Sequence, residues 1–189
     1  MMLLSALLMI VALGPGDNFV VDASAEISYN VSISREDLRL FVDDIGLFRR
    51  NMSGVVGVDS LGENTYLYRT SREVPLKGRM DADFVIKRTV ANDTVTVYRT
   101  PDVRDPNWME CRVELRPVGE KETSITLHLR LRMEREHGYE VHWLAPIVGA
   151  DFISERMKED LTDMLREFAE KSSQELYRRF SALSQQGRE

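Results

Sequence analysis

Ile125-Thr126-Leu127-His128-Leu129-Arg130-Leu131-Arg132-Met133, and the stripe Ile153, Met157, Leu161, Met164, Leu165, Phe168 and Leu176 that follows it, decide the fold. In the first stretch apolar and polar residues alternate strictly, the period of a β-strand with one buried face. In the second, apolar residues recur three, four or eight positions apart over a polar remainder, which is an amphipathic helix. The period changes after His137-Gly138. The helix begins between Pro146 and Asp151 and extends toward Leu183. At about 1.5 Å per residue, about thirty residues reach about 45 Å, enough to cross a whole sheet.

Working outward, the same period-2 signal recurs upstream. Met109, Cys111, Val113 and Leu115 point one way in Trp108 to Pro117, and Gly119 to Glu122 turns the chain. Met80, Ala82, Phe84 and Ile86 alternate with Asp81, Asp83 and Lys87, one face in and one out. Asn92-Asp93 marks a hairpin turn, and Thr94 to Thr100 is its partner strand. Val55 to Val58 leads through a turn at Asp59 to Asn64 into Thr65 to Val74. At the front, Ile27, Tyr29, Val31 and Ile33 alternate with small polar residues. Ser34-Arg35-Glu36-Asp37 then has the pattern of a capping box. Leu38, Phe41, Val42 and Ile45 follow at helical spacing, Gly46 is the expected stop, and Leu47 to Met52 makes a second short helix. The expectation is one α+β domain over 26–183: a curved antiparallel sheet of about seven strands wrapped around a long C-terminal helix, with two short helices after the first strand. Residues 184–189 read as a frayed tail.

The composition narrows the functions. With 43% hydrophobic residues in a 189-residue chain, a core of useful size forms without disulfide or metal staples. The single cysteine, Cys111, excludes an internal disulfide and a cysteine-rich zinc site. A net charge of −6 argues against a nucleic-acid partner held by phosphate neutralisation. The uncharged run Leu3 to Leu13, the breaker Gly14-Pro15-Gly16 and Ala23-Ser24-Ala25 stand in the order of a secretory signal peptide over residues 1–25. No Lys or Arg precedes the run, so an uncleaved anchor or a misassigned start codon stays open. The chain is exported or membrane-associated on the first reading and cytoplasmic otherwise, and cleavage after Ala25 would leave Glu26 at the start of the first strand pattern.

Sharper chemistry finds little support. There is no G-x-S-x-G and no glycine-rich phosphate loop of either common kind. Glu134, Glu136, His137, Glu140 and His142 crowd one stretch without a tight ligand spacing and read as a charged strand end, so no metal or cofactor is expected. Cys111 lies on the apolar side of its strand and reads as an inert small hydrophobe. Arg99 continues the Val95–Val97 face, which would aim it at the end of a pocket; the alternative is a solvated arginine past the strand end. Tyr66 and Tyr68 share one face and offer hydroxyls. Trp143, Leu144, Ile147 and Val148, after Tyr139, form an apolar patch at the start of the last helix, readable as loop packing, a pocket lid or a weak membrane contact. Three glycosylation sequons, at Asn30, Asn51 and Asn92, matter only in a compartment that glycosylates.

The order of elements resembles the helix-grip fold of the START-like, or SRPBCC, superfamily, which includes polyketide cyclases, coenzyme Q-binding proteins and lipid-transfer domains. The residues that carry it are Glu26 to Ser34 running into Leu38 to Asp44, and Trp143-Leu144-Ala145-Pro146-Ile147-Val148-Gly149 before the last helix. The resemblance implies a cavity between sheet and helix that takes an apolar small molecule or lipid. The inward residues are then Met80, Phe84, Val97, Met109, Val113, Leu129 and Leu131 from the sheet, and Phe152, Met157, Leu161 and Met164 from the helix. Each of these taken singly reads first as ordinary core, and the ligand reading rests on the resemblance. A cyclase or aromatase-like enzyme and an interaction protein with a packed cavity remain the alternatives. The superfamily has no shared catalytic residue to carry over.

Overall fold

The computed structural model describes residues 18–44, 46–74 and 78–186. Seven strands, β1 (Phe19–Val31), β2 (Val55–Gly62), β3 (Thr65–Val74), β4 (Gly78–Val90), β5 (Val95–Arg99), β6 (Asn107–Gly119) and β7 (Glu122–Arg135), form one curved antiparallel sheet. Its order is β1-β7-β6-β5-β4-β3-β2, so β1 closes onto the last strand of a meander. Two short helices, α1 (Arg35–Val42) and α2 (Gly46–Asn51), follow β1; α3 (Gly138–Val141) and the long α4 (Ala145–Gln186) follow β7. This is the α+β architecture expected from the sequence, a curved antiparallel sheet with a long C-terminal helix.

Alternation places one face of β7 inward, and Thr123, Ile125, Leu127, Leu129 and Met133 are all buried. Across from them Leu161, Leu165, Phe168 and Leu176 of α4 are fully or almost fully buried. Near α1 and α2 the core is solid. Phe48 stacks on Phe168 at 5.6 Å and meets Tyr98 edge-on at 5.0 Å. The Tyr98 hydroxyl donates to the Val42 carbonyl at 2.7 Å, satisfying one of the carbonyls that a helix C-terminus leaves open. Asn51 and Arg50 of α2 both bond Glu175 of α4, clamping α2 against the helix. Burial would raise the Glu175 carboxyl, but these donors more than offset it and hold it below the usual range.

Several boundaries differ from the sequence expectation. β1 begins at Phe19, not Glu26, because Phe19, Val21, Ala23 and Ala25 are buried and paired in unbroken register with β7. A cut after Ala25 would therefore remove half of a strand instead of leaving the fold intact. α1 stops at Val42 with Asp43 as its cap, so Gly46 opens α2 and does not end α1; Ile45 lies outside the described residues. The β2–β3 turn is tighter than expected: Glu63 and Asn64 both have positive φ (45° and 60°), a two-residue turn whose twist suits a hairpin. α4 starts at Ala145 but leaves helical geometry at Gly149 (φ 85°, ψ 166°), a conformation open to glycine and not to residues with a Cβ. It then runs to Gln186, past the expected end at Leu183. Residues 1–17 and 187–189 lie outside the described residues, including the apolar run Leu3 to Leu13.

Candidate functional site: a cavity between sheet and helix

Toward the N-terminal half of α4 the core becomes hollow. Leu165 is fully buried, while Met164, Met157 and Ile153 are half-buried and Phe152 is exposed. Between these side chains and the sheet lies a cavity of about 430 Å³, open to solvent on one side. The volume is in the range of small-molecule sites. Its lining is mostly apolar: Met80, Ala82, Phe84, Met109, Leu129, Leu131 and Met133 from the sheet, Phe48 from α2 and Met52 just after it, and Phe152, Met157, Leu161 and Met164 from α4. Six of these are the flexible, polarizable methionines that let a wall adapt to an irregular ligand: Met52, Met80, Met109, Met133, Met157 and Met164.

The polar groups divide by depth. Inside are Tyr68, Tyr98 and Cys111; at the rim are Thr70, Arg72, Glu73, His142, Arg156 and Asp160. Burial pushes the Cys111 thiol up to about 12 and drives both tyrosines well above the ordinary phenol range. All three are neutral at physiological pH, so the interior carries no charge. Tyr98 is committed to Val42, but the Tyr68 hydroxyl is buried and has no hydrogen-bond partner. A smaller, polar hollow of about 200 Å³ adjoins the site, sharing Met80, Met133 and Val141 and walled by Arg79, Asp81, Arg135 and Glu140.

Among the residues proposed from sequence, Tyr68, Met80, Phe84, Met109, Leu129, Leu131, Phe152, Met157, Leu161 and Met164 all reach this cavity. Four do not. Val113 is buried in the solid part of the core, and Tyr66 packs on the core beside Ile86, one residue pair beyond the cavity. Val97 and Arg99 face the other way. They pair with Arg112 and Glu110, whereas Thr96 and Tyr98 pair with the inward Val113 and Cys111. The inner face of β5 is thus Thr96 and Tyr98, continued by the buried Thr100 just past the strand, and Arg99 sits on the outer face, 3.6 Å from Glu110. Sequence reasoning missed Phe48 and Met52, on and just after a short helix, and Tyr98, on the polar-looking side of a short strand. It also missed Val141 and His142, on and just after a four-residue helix too short for any periodicity.

Among the described residues no three His, Cys, Asp or Glu side chains converge to hold a metal ion. The crowded stretch is used locally instead. The Glu140 carboxylate accepts from the His137 amide at 2.9 Å, and the His142 Nδ1 accepts from the Leu144 amide at 3.1 Å.

No protein-family profile matches this chain, and no curated protein matches it by sequence. Solved structures match it in shape. A START superfamily protein from Mycobacterium smegmatis superposes with a TM-score of 0.57 at 14% identity, over 81% of this chain and 98% of its own. A conserved protein from Geobacillus kaustophilus gives 0.54 at 15%, over 84% and 96%. The di-domain ARO/CYC StfQ of the steffimycin biosynthetic pathway gives 0.51 at 13%, covering 82% of this chain and 50% of that one. The likeness is one of fold: this chain has the START-like, helix-grip fold, with an apolar cavity in the place where sheet and helix part.

Proposed function

We propose that the chain binds an apolar small molecule or lipid in the cavity between the sheet and α4. One observation carries this reading: about 430 Å³ stays unfilled between walls of methionine, leucine and phenylalanine. A core of this composition would ordinarily close to near-crystalline density, and an unfilled apolar volume forfeits dispersion and transfer energy unless a ligand restores it. The same volume speaks against a packed interaction protein. A cyclase-type enzyme needs at least two polar groups converging on the substrate with proton affinities near the working pH. Tyr68, Tyr98 and Cys111 are the interior polar groups, and burial holds all three protonated. Binding is the better reading.

Native mass spectrometry on the full chain, followed by denaturation and analysis of what is released, tests it. A discrete apolar molecule in stoichiometric amount is expected, and Leu131→Trp, which fills part of the cavity, should abolish its retention while leaving the chain folded. A clean apo mass that stays clean after incubation with total lipid extract would overturn the reading. Release of a chemically altered molecule after supplying a polyketide-type substrate would favour the enzyme instead.

A further inference from the structure

The small polar hollow beside the cavity exists because β5 is short. β5 pairs with Lys87 to Val90 of β4 and ends at Arg99, so Gly78 to Ile86 of β4 has a strand neighbour, among the described residues, only on the β3 side. β7 runs on past this notch to Arg135, and alternation turns Arg135 inward with Leu131 and Met133. The side chain is half-buried. Its guanidinium makes three hydrogen bonds, all to neutral oxygens: Nη1 donates to the Glu134 carbonyl at 2.7 Å and the Pro106 carbonyl at 3.4 Å, and Nη2 donates to Asn107 Oδ1 at 2.7 Å. Asn107 Nδ2 in turn donates to the Asp83 carbonyl at 3.4 Å, which spans the notch and fixes the way the Asn107 amide points. A guanidinium offers five N–H donors. Here Nε–H and one Nη2–H find no acceptor, and no carboxylate comes within 4.0 Å, among the described residues.

We propose, resting on the binding reading above, that Arg135 receives the carboxylate of an apolar monocarboxylic acid whose hydrocarbon body lies in the large cavity. Adjacent guanidinium donors match the two oxygens of a carboxylate, and such charge-assisted bonds are about twice as strong as neutral ones. A cation at an inward strand position, answered only by carbonyl and amide oxygens, gains most from a counter-ion. Met80, Met133 and Val141 border both hollows, so the two ends of one molecule occupy adjoining space. The apolar body has about 430 Å³ and the polar head about 200 Å³. The remaining charges on the wall of the small hollow select among anions. Arg79 and Asp81 pair at 3.1 Å, and bonds from Ser71 and Arg79 hold the Asp81 carboxyl below its usual range. Glu140 borders the same space and accepts from the His137 amide. With these two carboxylates nearby, the hollow admits a single negative charge at Arg135 and repels the second charge of a phosphate monoester dianion. Arg99, the arginine expected from sequence at the pocket end, is spent on Glu110 at the outer face, and Arg135 stands where that role falls.

The test displaces Nile red, a neutral apolar dye, from the full chain with decanoate and with decanol, which share a hydrocarbon body and differ in the head group. Both should displace the dye from the wild-type chain. In Arg135→Gln the ratio of decanoate to decanol affinity should fall about tenfold, with decanol itself within about twofold of its wild-type affinity. Arg135→Lys keeps a cation at the strand end without the fork, so the ratio should fall there as well, and this variant decides the matter if the glutamine variant does not fold. Arg156→Gln, at the rim of the large cavity on α4, should leave the ratio unchanged. Three results would overturn the carboxylate assignment and leave the binding reading standing: decanol displaces the dye and decanoate does not; the ratio is unchanged at position 135; or Arg156→Gln lowers it equally, meaning that any nearby positive charge suffices. A wild-type chain that takes up neither dye nor decanol would overturn both together.

Discussion

Tyr68 and Tyr98 invite the same substitution with opposite results. Both hydroxyls are buried beside the cavity, but Tyr98 donates to the Val42 carbonyl at 2.7 Å and Tyr68 has no partner. Tyr98→Phe removes a short O–H···O=C bond and strands a carbonyl at the end of α1, which should cost about 1–3 kcal/mol. Tyr68→Phe removes only a hydroxyl whose burial is uncompensated. It should stabilise the fold by about 1 kcal/mol, the lower end of the penalty for an unsatisfied buried group. The two variants should therefore differ by about 2–4 kcal/mol. In a domain of this length that corresponds to thermal midpoints roughly 4–16 °C apart. Urea unfolding followed by far-ultraviolet circular dichroism, with equal m-values for both variants, is the assay. If Tyr68→Phe loses 1 kcal/mol or more, its hydroxyl has a partner in solution, and the description of the cavity floor fails. Equal losses at both positions would refute the argument just as directly.

Three further outcomes are expected. Cys111 keeps its proton to about 12 in the fold, against an ordinary value near 9 for the unfolded thiol. Between those values the folded state binds the extra proton, so its contribution to stability is complete below pH 9 and declines as pH rises; Cys111→Ala should flatten the alkaline decline by up to about 1.4 kcal/mol per pH unit. Gly138→Ala drives a Cβ into the Phe19 ring and should cost about 1–3 kcal/mol, recovered in part by Phe19→Leu in a double-mutant cycle read by urea midpoints. A chain beginning at Glu26 should be less stable than one beginning at Asn18, because burial of Phe19 and Val21 alone contributes roughly 4 kcal/mol; equal midpoints would mean that the front half of β1 adds nothing.

Local periodicity decided most of the architecture. β4, β6 and β7 are long, and each alternates for four or more residues on one face, so a slip of register would turn a whole apolar set toward water. The stripe on α4 has the same force at period 3.6. These signals lie in nearest neighbours along the chain, which is why they and the order of elements are legible in the sequence. β5 has five residues and places Thr96 and Tyr98 inward, so its hydrophobic pattern points to the wrong face; only pairing with Val113 and Cys111 of β6 assigns it. The front of β1 carries Ala23-Ser24-Ala25, which reads locally as a cleavage site, and only its register with β7 assigns it to the sheet.

The cavity belongs wholly to the tertiary structure. Met80, Leu131, Met157 and Met164 follow the same inward periods as Leu127 and Leu165, yet the first four border an open volume and the last two are packed solid. Pattern states which way a side chain points. Whether it meets another depends on the distance between sheet and helix, which is set by the sheet's curvature, by the α1–α2 plug beneath one end of α4, and by the break at Gly149 near the other.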